Sequence, residues 1–299
     1  MKIFILGSEG FIGNHCVRFF QKKGYNVYGA DLLDIKQANY QYNQVSRLQP
    51  AFDEFFRNEN FDVCINAAGS GSVPVSFQRP YNDFEANTVD VVRLLETIRL
   101  TNPTCKYLNI SSAAIYGNPK VLPITEDSEP SPLSPYGWHK YYSELVCKEY
   151  AQLHGLFTCS VRPFSVYGPG LRKQLFWDIY QKTLNGNNIE LFGTGDESRD
   201  FIYINDLVSA IDILITSSAM KGHTYNLASG KEITIKEAAT IFCEYLSDEI
   251  SIKFNQQQKV GDPLNWKADI SKITDLGFVP KTDLKSGLLE LAKWIKEKK

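Results

Sequence analysis

A long hydrophobic run is missing from the start of this sequence: the apolar stretch Ile3-Phe4-Ile5-Leu6 is four residues long and ends at Gly7. That is too short for a signal-peptide core or a membrane span, so the expected location is the cytoplasm. An excess of charge of one sign is missing as well. Lys and Arg number 32 against 34 Asp and Glu, giving a net charge of -2, with no block of either sign. Nucleic acid and membrane surfaces are therefore not expected partners, and any anion site must be local. Cysteine is sparse: Cys16, Cys64, Cys105, Cys147, Cys159 and Cys243 form no C-x-x-C, and the four histidines share no metal-ligand spacing. These read as reduced, buried thiols with no metal, His15 and Cys16 included. Repeats and low-complexity segments are also lacking, and the proline-rich 130–135 is too short for a domain linker.

What is present is a 43% hydrophobic chain, ample for a sizeable core, in which short β-branched and aromatic runs alternate with helical periods. The runs Lys2 to Leu6, Asn26 to Ala30, Asp62 to Asn66, Lys106 to Ile110 and Phe157 to Val161 suit strands buried on both faces. Phe11 to Lys23, Tyr81 to Leu100 and Tyr136 to His154 have helical spacing. This order predicts an α/β fold with a doubly wound parallel sheet over 1–167. Beyond Tyr167 the elements shorten (Ile189 to Phe192, Phe201 to Ile204, Thr224 to Leu227), which predicts a smaller lobe over 168–299, with part of 200–228 returning to the first.

Three constellations carry chemistry. Gly7, Gly10 and Gly13, with Phe11 and Ile12 inside the same turn, follow the first strand and open a helix. Glycines there let backbone N–H groups approach a pyrophosphate at the positive helix end. Asp31, 18 residues beyond Gly13, ends the second strand, where a carboxylate accepts hydrogen bonds from an adenosine ribose and repels a 2'-phosphate, favouring NAD over NADP. It could equally be a solvated loop acid. Ser111 and Ser112 follow the strand Lys106 to Ile110 at its carboxyl end, where open α/β sheets place ligands.

In "PYGWHK", Tyr136 and Lys140 are four residues apart and share a helix face. A neighbouring ammonium would lower the phenol's pKa and make Tyr136 an acid/base at neutral pH. Alone, the pair could be a surface feature of an amphipathic helix. His139 lies off the Lys140 direction and reads as a packing or solvent-facing residue. Arg172 and Lys173, past "YGPG", read as a phosphate contact or as a solvated loop.

Taken in order along nearly the whole chain, these motifs resemble the extended short-chain dehydrogenase/reductases of the epimerase/dehydratase kind that act on nucleotide sugars. "GSEGFIG" is similar to that family's glycine turn, "INAAG" to its A-A loop, "EANTVDVVRLLE" to its Asn-bearing helix, "SSAAIYG" to its S-S-x-x-x-Y-G, and "PYGWHK" to its Y-x-x-x-K. "VRPFSVYGPG", "FGTGDESRDFIYINDL" and "YNLASG" match later landmarks. The resemblance implies a Rossmann-type fold and NAD. It makes Ser112 and Tyr136 catalytic and sets Lys140 on the nicotinamide ribose. It places Ala67, Ala68, Asn87 and Pro163 against the dinucleotide and Arg199 on the substrate diphosphate. Two positions depart: Ser165 stands where many members have asparagine, and Lys259 where many have arginine, which keeps a cation but loses the bidentate fork. No aspartate for the adenine amine is evident near 43–50.

Two reactions fit this machinery. One is epimerisation of a UDP-hexose at C4, with bound NAD reduced and reoxidised in each turnover. The other is reduction of a 4-keto-6-deoxy sugar nucleotide by exchangeable NAD(P)H. Dehydration and decarboxylation are disfavoured, because Ala113 and Ala114 stand where those branches carry acids. A non-catalytic dinucleotide-binding regulator is made improbable by the complete Ser112, Tyr136, Lys140 set. The helices at 81–100 and 136–154 correspond to those that pair in the family's dimers, so a homodimer is expected.

Overall fold

The computed structural model describes residues 1–35, 38–46 and 52–297. The chain runs β1 (Lys2–Leu6), α1 (Phe11–Lys22), β2 (Asn26–Asp31), β3 (Gln41–Gln44), α2 (Phe52–Asn58), β4 (Val63–Asn66), α3 (Val73–Gln78) and α4 (Pro80–Phe84). A π-helical turn (Glu85–Val89) leads into α5 (Asp90–Thr101), β5 (Lys106–Ile110), α6 (Pro135–His154), β6 (Thr158–Pro163) and β7 (Ser165–Tyr167). The remainder is α7 (Gln174–Thr183), β8 (Asn188–Leu191), β9 (Ser198–Tyr203), α8 (Ile204–Ser217), β10 (Lys221–Leu227), β11 (Glu232–Thr234), α9 (Ile235–Leu246), β12 (Ser251–Phe254), α10 (Ser271–Thr274) and α11 (Leu284–Glu297).

Seven parallel strands form the main sheet in the order β3-β2-β1-β4-β5-β6-β10. The Rossmann-type order reverses between β1 and β4, so the loops leaving those two strands part there and open a crevice. In β1, Ile3 and Ile5 join one core while Phe4 and Leu6 join another on the opposite face. That is why the strand is apolar throughout instead of alternating. A three-stranded sheet β11-β9-β7 and a two-stranded sheet β12-β8 lie outside it.

The helix expected over 81–100 is two α-helices joined by the π-helical turn. That turn buries Asn87 and Thr88, and such bulges are frequent at functional sites. Helix α6 starts where its sequence says it should. Ser134 accepts from the Gly137 N–H at 3.2 Å, Pro135 fills the first turn, and Gly155 closes the helix at φ 69°. Its middle is fixed to β6 by Arg162, whose Nε and Nη2 donate to the Glu144 carboxylate at 3.0, 3.1 and 2.6 Å.

Candidate active site

The glycine turn after β1 is sterically compulsory. A Cβ on Gly13 would stand 2.0 Å from the Gly7 carbonyl oxygen, and one on Gly7, at φ +79°, would stand 2.7 Å from the Ala68 N. The turn therefore packs against the Ala67-Ala68 loop leaving β4, across the point where the strand order reverses. Gly10 meets only the Gly7 carbonyl, at 3.2 Å, which leaves its outer side open to a ligand. Asp31 is aimed at this turn: its carboxylate accepts from the Glu9 N–H at 3.0 Å and the Leu32 N–H at 2.7 Å. Tyr40, which sequence reasoning did not single out, closes the same corner through its hydroxyl, bonded to Ser8 at 2.9 Å and to the Glu9 carboxylate. Phe11 packs edge-on against His15, whose Nε2 lies 2.9 Å from the Pro169 carbonyl. His15 is thus a tie between α1 and the loop leading to α7.

At the carboxyl end of β5, Lys140 is buried, and its Nζ donates to the Ile110 carbonyl at 2.8 Å. Burial lowers its ammonium to about 8, with the Asp83 and Glu144 carboxylates pulling the other way. Burial raises the Tyr136 phenol above its ordinary value, the Ser112 hydroxyl favours its ionised form, and the Asp83 carboxylate opposes ionisation. This corrects the expectation of an acidified phenol. Lys140 spends a hydrogen bond on the Ile110 carbonyl, and desolvation of the hydroxyl outweighs the help from Ser112. Ser112 itself caps the short turn after β5, accepting from the Ala114 N–H at 3.1 Å.

Asn87 sits on the π-helical turn and donates to the Ser70 carbonyl at 3.1 Å. Its Oδ1 and the Ser111 hydroxyl are buried with no hydrogen-bond partner. Asn87 Oδ1 lies against Gly69 in the loop after β4 and Ser111 follows β5, so both unpartnered atoms stand at the carboxyl ends of the strands next to the order reversal, where a dinucleotide would supply partners. The residues present therefore fit NAD. His139 is neither solvent-facing nor free, because its Nδ1 lies 2.6 Å from the Asp83 carboxylate, which is itself buried.

The outer lobe's residues are less convergent. Pro163 ends β6 and Ser165 opens β7, paired with Phe201. On β9, Arg199 donates to the Ser198 carbonyl at 2.8 Å and the Leu264 carbonyl at 3.1 Å, with its guanidinium over the Trp266 ring. Lys259 is exposed. Arg172 lies over the adjoining Trp177 and Trp294 rings, whereas Lys173 beside it reaches the Gly71 carbonyl at 3.2 Å. Of the stretch 43–50, which carries no aspartate for an adenine amine, residues 47–50 lie outside the described residues.

Comparison with known families decides what this crevice belongs to. The model of the NAD dependent epimerase/dehydratase family matches residues 3–228. The chain belongs to that family. It is 28% identical over 306 residues to a putative UDP-glucose 4-epimerase of Methanocaldococcus jannaschii, covering 98% of each chain. Among solved structures it resembles a UDP-glucose 4-epimerase from Thermotoga maritima with UDP-glucose (27% identity, TM-score 0.90, covering 100% of this chain and 99% of that one). It also resembles a UDP-glucuronic acid 4-epimerase from Bacillus cereus in complex with UDP-glucuronic acid and NAD (25% identity, TM-score 0.90, 100% of both chains). This family membership accounts for the order of the glycine turn, the Ser111-Ser112 end of β5 and the Tyr136/Lys140 helix.

Proposed function

We propose that the protein is an NAD-dependent UDP-sugar 4-epimerase. The observation that carries this is the meeting of Ser112, Tyr136 and Lys140 at the carboxyl end of β5, beside the glycine turn, in a chain of this family. Epimerisation is preferred over ketoreduction because the relatives compared above are named as 4-epimerases and because Asp31 faces the glycine turn.

In this reading Gly7, Gly10, Phe11, Ile12 and Gly13 cradle the pyrophosphate, Asp31 binds the adenosine ribose, and Ala67, Ala68, Asn87, Ser111 and Pro163 line the remaining length of NAD. The nicotinamide supplies a reversible hydride acceptor at the sugar carbon. Tyr136 exchanges the proton of the sugar hydroxyl at its phenol oxygen, and Ser112 orients that hydroxyl. Lys140, anchored by the Ile110 carbonyl, holds the nicotinamide ribose. In the protein alone burial raises the Tyr136 phenol; to take the sugar hydroxyl's proton as hydride leaves it must be phenolate, a form that the Ser112 hydroxyl and the positive charges of Lys140 and a bound oxidised nicotinamide would favour. Arg199, Lys259 and Ser165 face the substrate from the outer lobe. The chain divides into a dinucleotide lobe, 1–167, rejoined by β10 in the main sheet, and a substrate lobe built mainly from 168–299.

Two further features support an assembly and a location. Tyr81, Val92, Trp138, Tyr142 and Leu145 are exposed on α4, α5 and α6, which pack against one another. This apolar surface suits a homodimer, and sedimentation showing only monomer at micromolar concentration would remove it. Six buried free cysteines suit a reducing cytoplasm; among the described residues no helix is long and apolar enough to cross a membrane. The test of function is proton NMR of UDP-glucose and UDP-glucuronate with the purified protein and no added cofactor. Accumulation of the C4 epimer without net redox change is expected; no epimer here, together with stoichiometric NAD(P)H consumption when a 4-keto-6-deoxy sugar nucleotide is supplied instead, would replace the epimerase by the reductase.

A further inference from the structure

The loop at 69–71, between β4 and α3, has an amine on either side. Lys140 Nζ lies 3.4 Å from where a Cβ on Gly69 would stand, and Lys173 Nζ lies 2.9 Å from where one on Gly71 would stand. Two residues of extended backbone span at most about 7 Å, so both amines serve one short stretch of crevice wall. They arrive from different lobes. Lys140 comes from α6 under the main sheet. Lys173 comes from the loop ahead of α7, where the next residue, Gln174, holds the left-handed φ of 67° that a non-glycine residue adopts only when its surroundings enforce it.

Lys173 is reached by solvent, yet protein surrounds it enough that burial lowers its pKa, and no carboxylate acts to restore it. Among the described residues its one hydrogen bond is to the Gly71 carbonyl, at 3.2 Å. Its charge also counts against that of Lys140. Two like charges converging in a cleft, one of them with no acidic partner among the described residues, are unfavourable until an anion joins them.

We propose that Lys173 receives an anionic oxygen group of the nucleotide sugar, and so helps to select the substrate. The inference rests on the epimerase reading for the identity of the ligand. Lys140, Ser112 and Tyr136 mark the reacting end, so the group is either a carboxylate on the hexose or the phosphate nearest to it. Arg172, whose guanidinium packs over two adjoining indoles, is not needed for this contact.

Calorimetric titration with UDP-glucuronate, UDP-glucose and UDP tests this on the unaltered 299-residue chain and on Lys173→Met and Lys173→Arg. Loss of a charge-assisted hydrogen bond should weaken binding by about tenfold in Lys173→Met, and Lys173→Arg should recover most of it. A loss confined to UDP-glucuronate identifies a sugar carboxylate; a loss shared by all three identifies the diphosphate. Equal affinities with and without Lys173, or no binding by the unaltered chain, overturn the inference. If the sugars bind but are not epimerised, the epimerase reading fails and the lysine contact stands.

Discussion

Ser112 and Tyr136 face one another across the end of β5: the serine hydroxyl eases ionisation of a phenol that burial otherwise makes harder to deprotonate. In the protein alone Tyr136 therefore holds its proton, which it must release before it can accept that of the sugar hydroxyl. Lys140, one helical turn on, is fixed to the Ile110 carbonyl at 2.8 Å. Its part in the reaction is expressed through what it binds and through its charge. Ser112→Ala should lower kcat by roughly 10²–10⁴-fold, the range for general acid–base assistance, with cofactor binding retained as read by calorimetry with NAD.

The buried ammonium of Lys140 should cost stability. Its folded pKa is about 8 against an ordinary 10.5, so between those values the unfolded chain binds more protons at this residue than the folded one. Stability attributable to Lys140 therefore rises with pH across that window and is lowest below about pH 8. Lys140→Met should stabilise the cofactor-free protein at pH 7 by on the order of 2 kcal/mol while abolishing activity. Denaturant melts at pH 7 and pH 10 check this, and the gain should shrink at the higher pH.

Gly13→Ala places a methyl group 2.0 Å from the Gly7 carbonyl oxygen, so the turn must open. The variant should lose bound NAD, measured by the dinucleotide released on denaturation. Retention of a full complement would show that the turn does not hold the cofactor.

Asp31 accepts from the Glu9 and Leu32 N–H groups, so its charge lies at the glycine turn. Asp31→Ala should weaken NAD and strengthen NADP, moving their affinity ratio by about 10-fold or more by removing one repulsive charge. Fluorescence titration with both dinucleotides reads the ratio directly.

Arg162 and Glu144 form a pair with side-chain exposures of 5% and 4%, and Arg162 also donates to the Tyr116 hydroxyl at 2.7 Å. Arg162→Met leaves a carboxylate buried without its partner and should destabilise by about 3–5 kcal/mol. Glu144→Gln, which keeps an acceptor for the guanidinium, should cost less in the same thermal melt.

The main sheet was legible because its strands are short apolar runs separated by helical periods, and β1 and β5 occupy the residues read from sequence. Strand β3, the polar Gln41–Gln44, and the seven-residue α2 were not, since an exposed edge strand and a short helix carry little periodicity. The π-helical turn escaped because helical spacing does not report a single widened turn, nor that its Asn87 meets the Ser70 carbonyl. Spacing placed Tyr136 and Lys140 on one helix, but burial, which spacing cannot report, sets the direction of the phenol's shift. Spacing leaves Lys173 open between a phosphate contact and a solvated loop, because its partner, Gly71, is 102 positions away.

The most direct measurement is Tyr136→Phe assayed by NMR with UDP-glucose and UDP-glucuronate alongside the unaltered protein, with released dinucleotide quantified for both. The account predicts that the unaltered protein forms the C4 epimer, while the variant keeps its NAD and forms none. Undiminished epimerisation by the variant would contradict it.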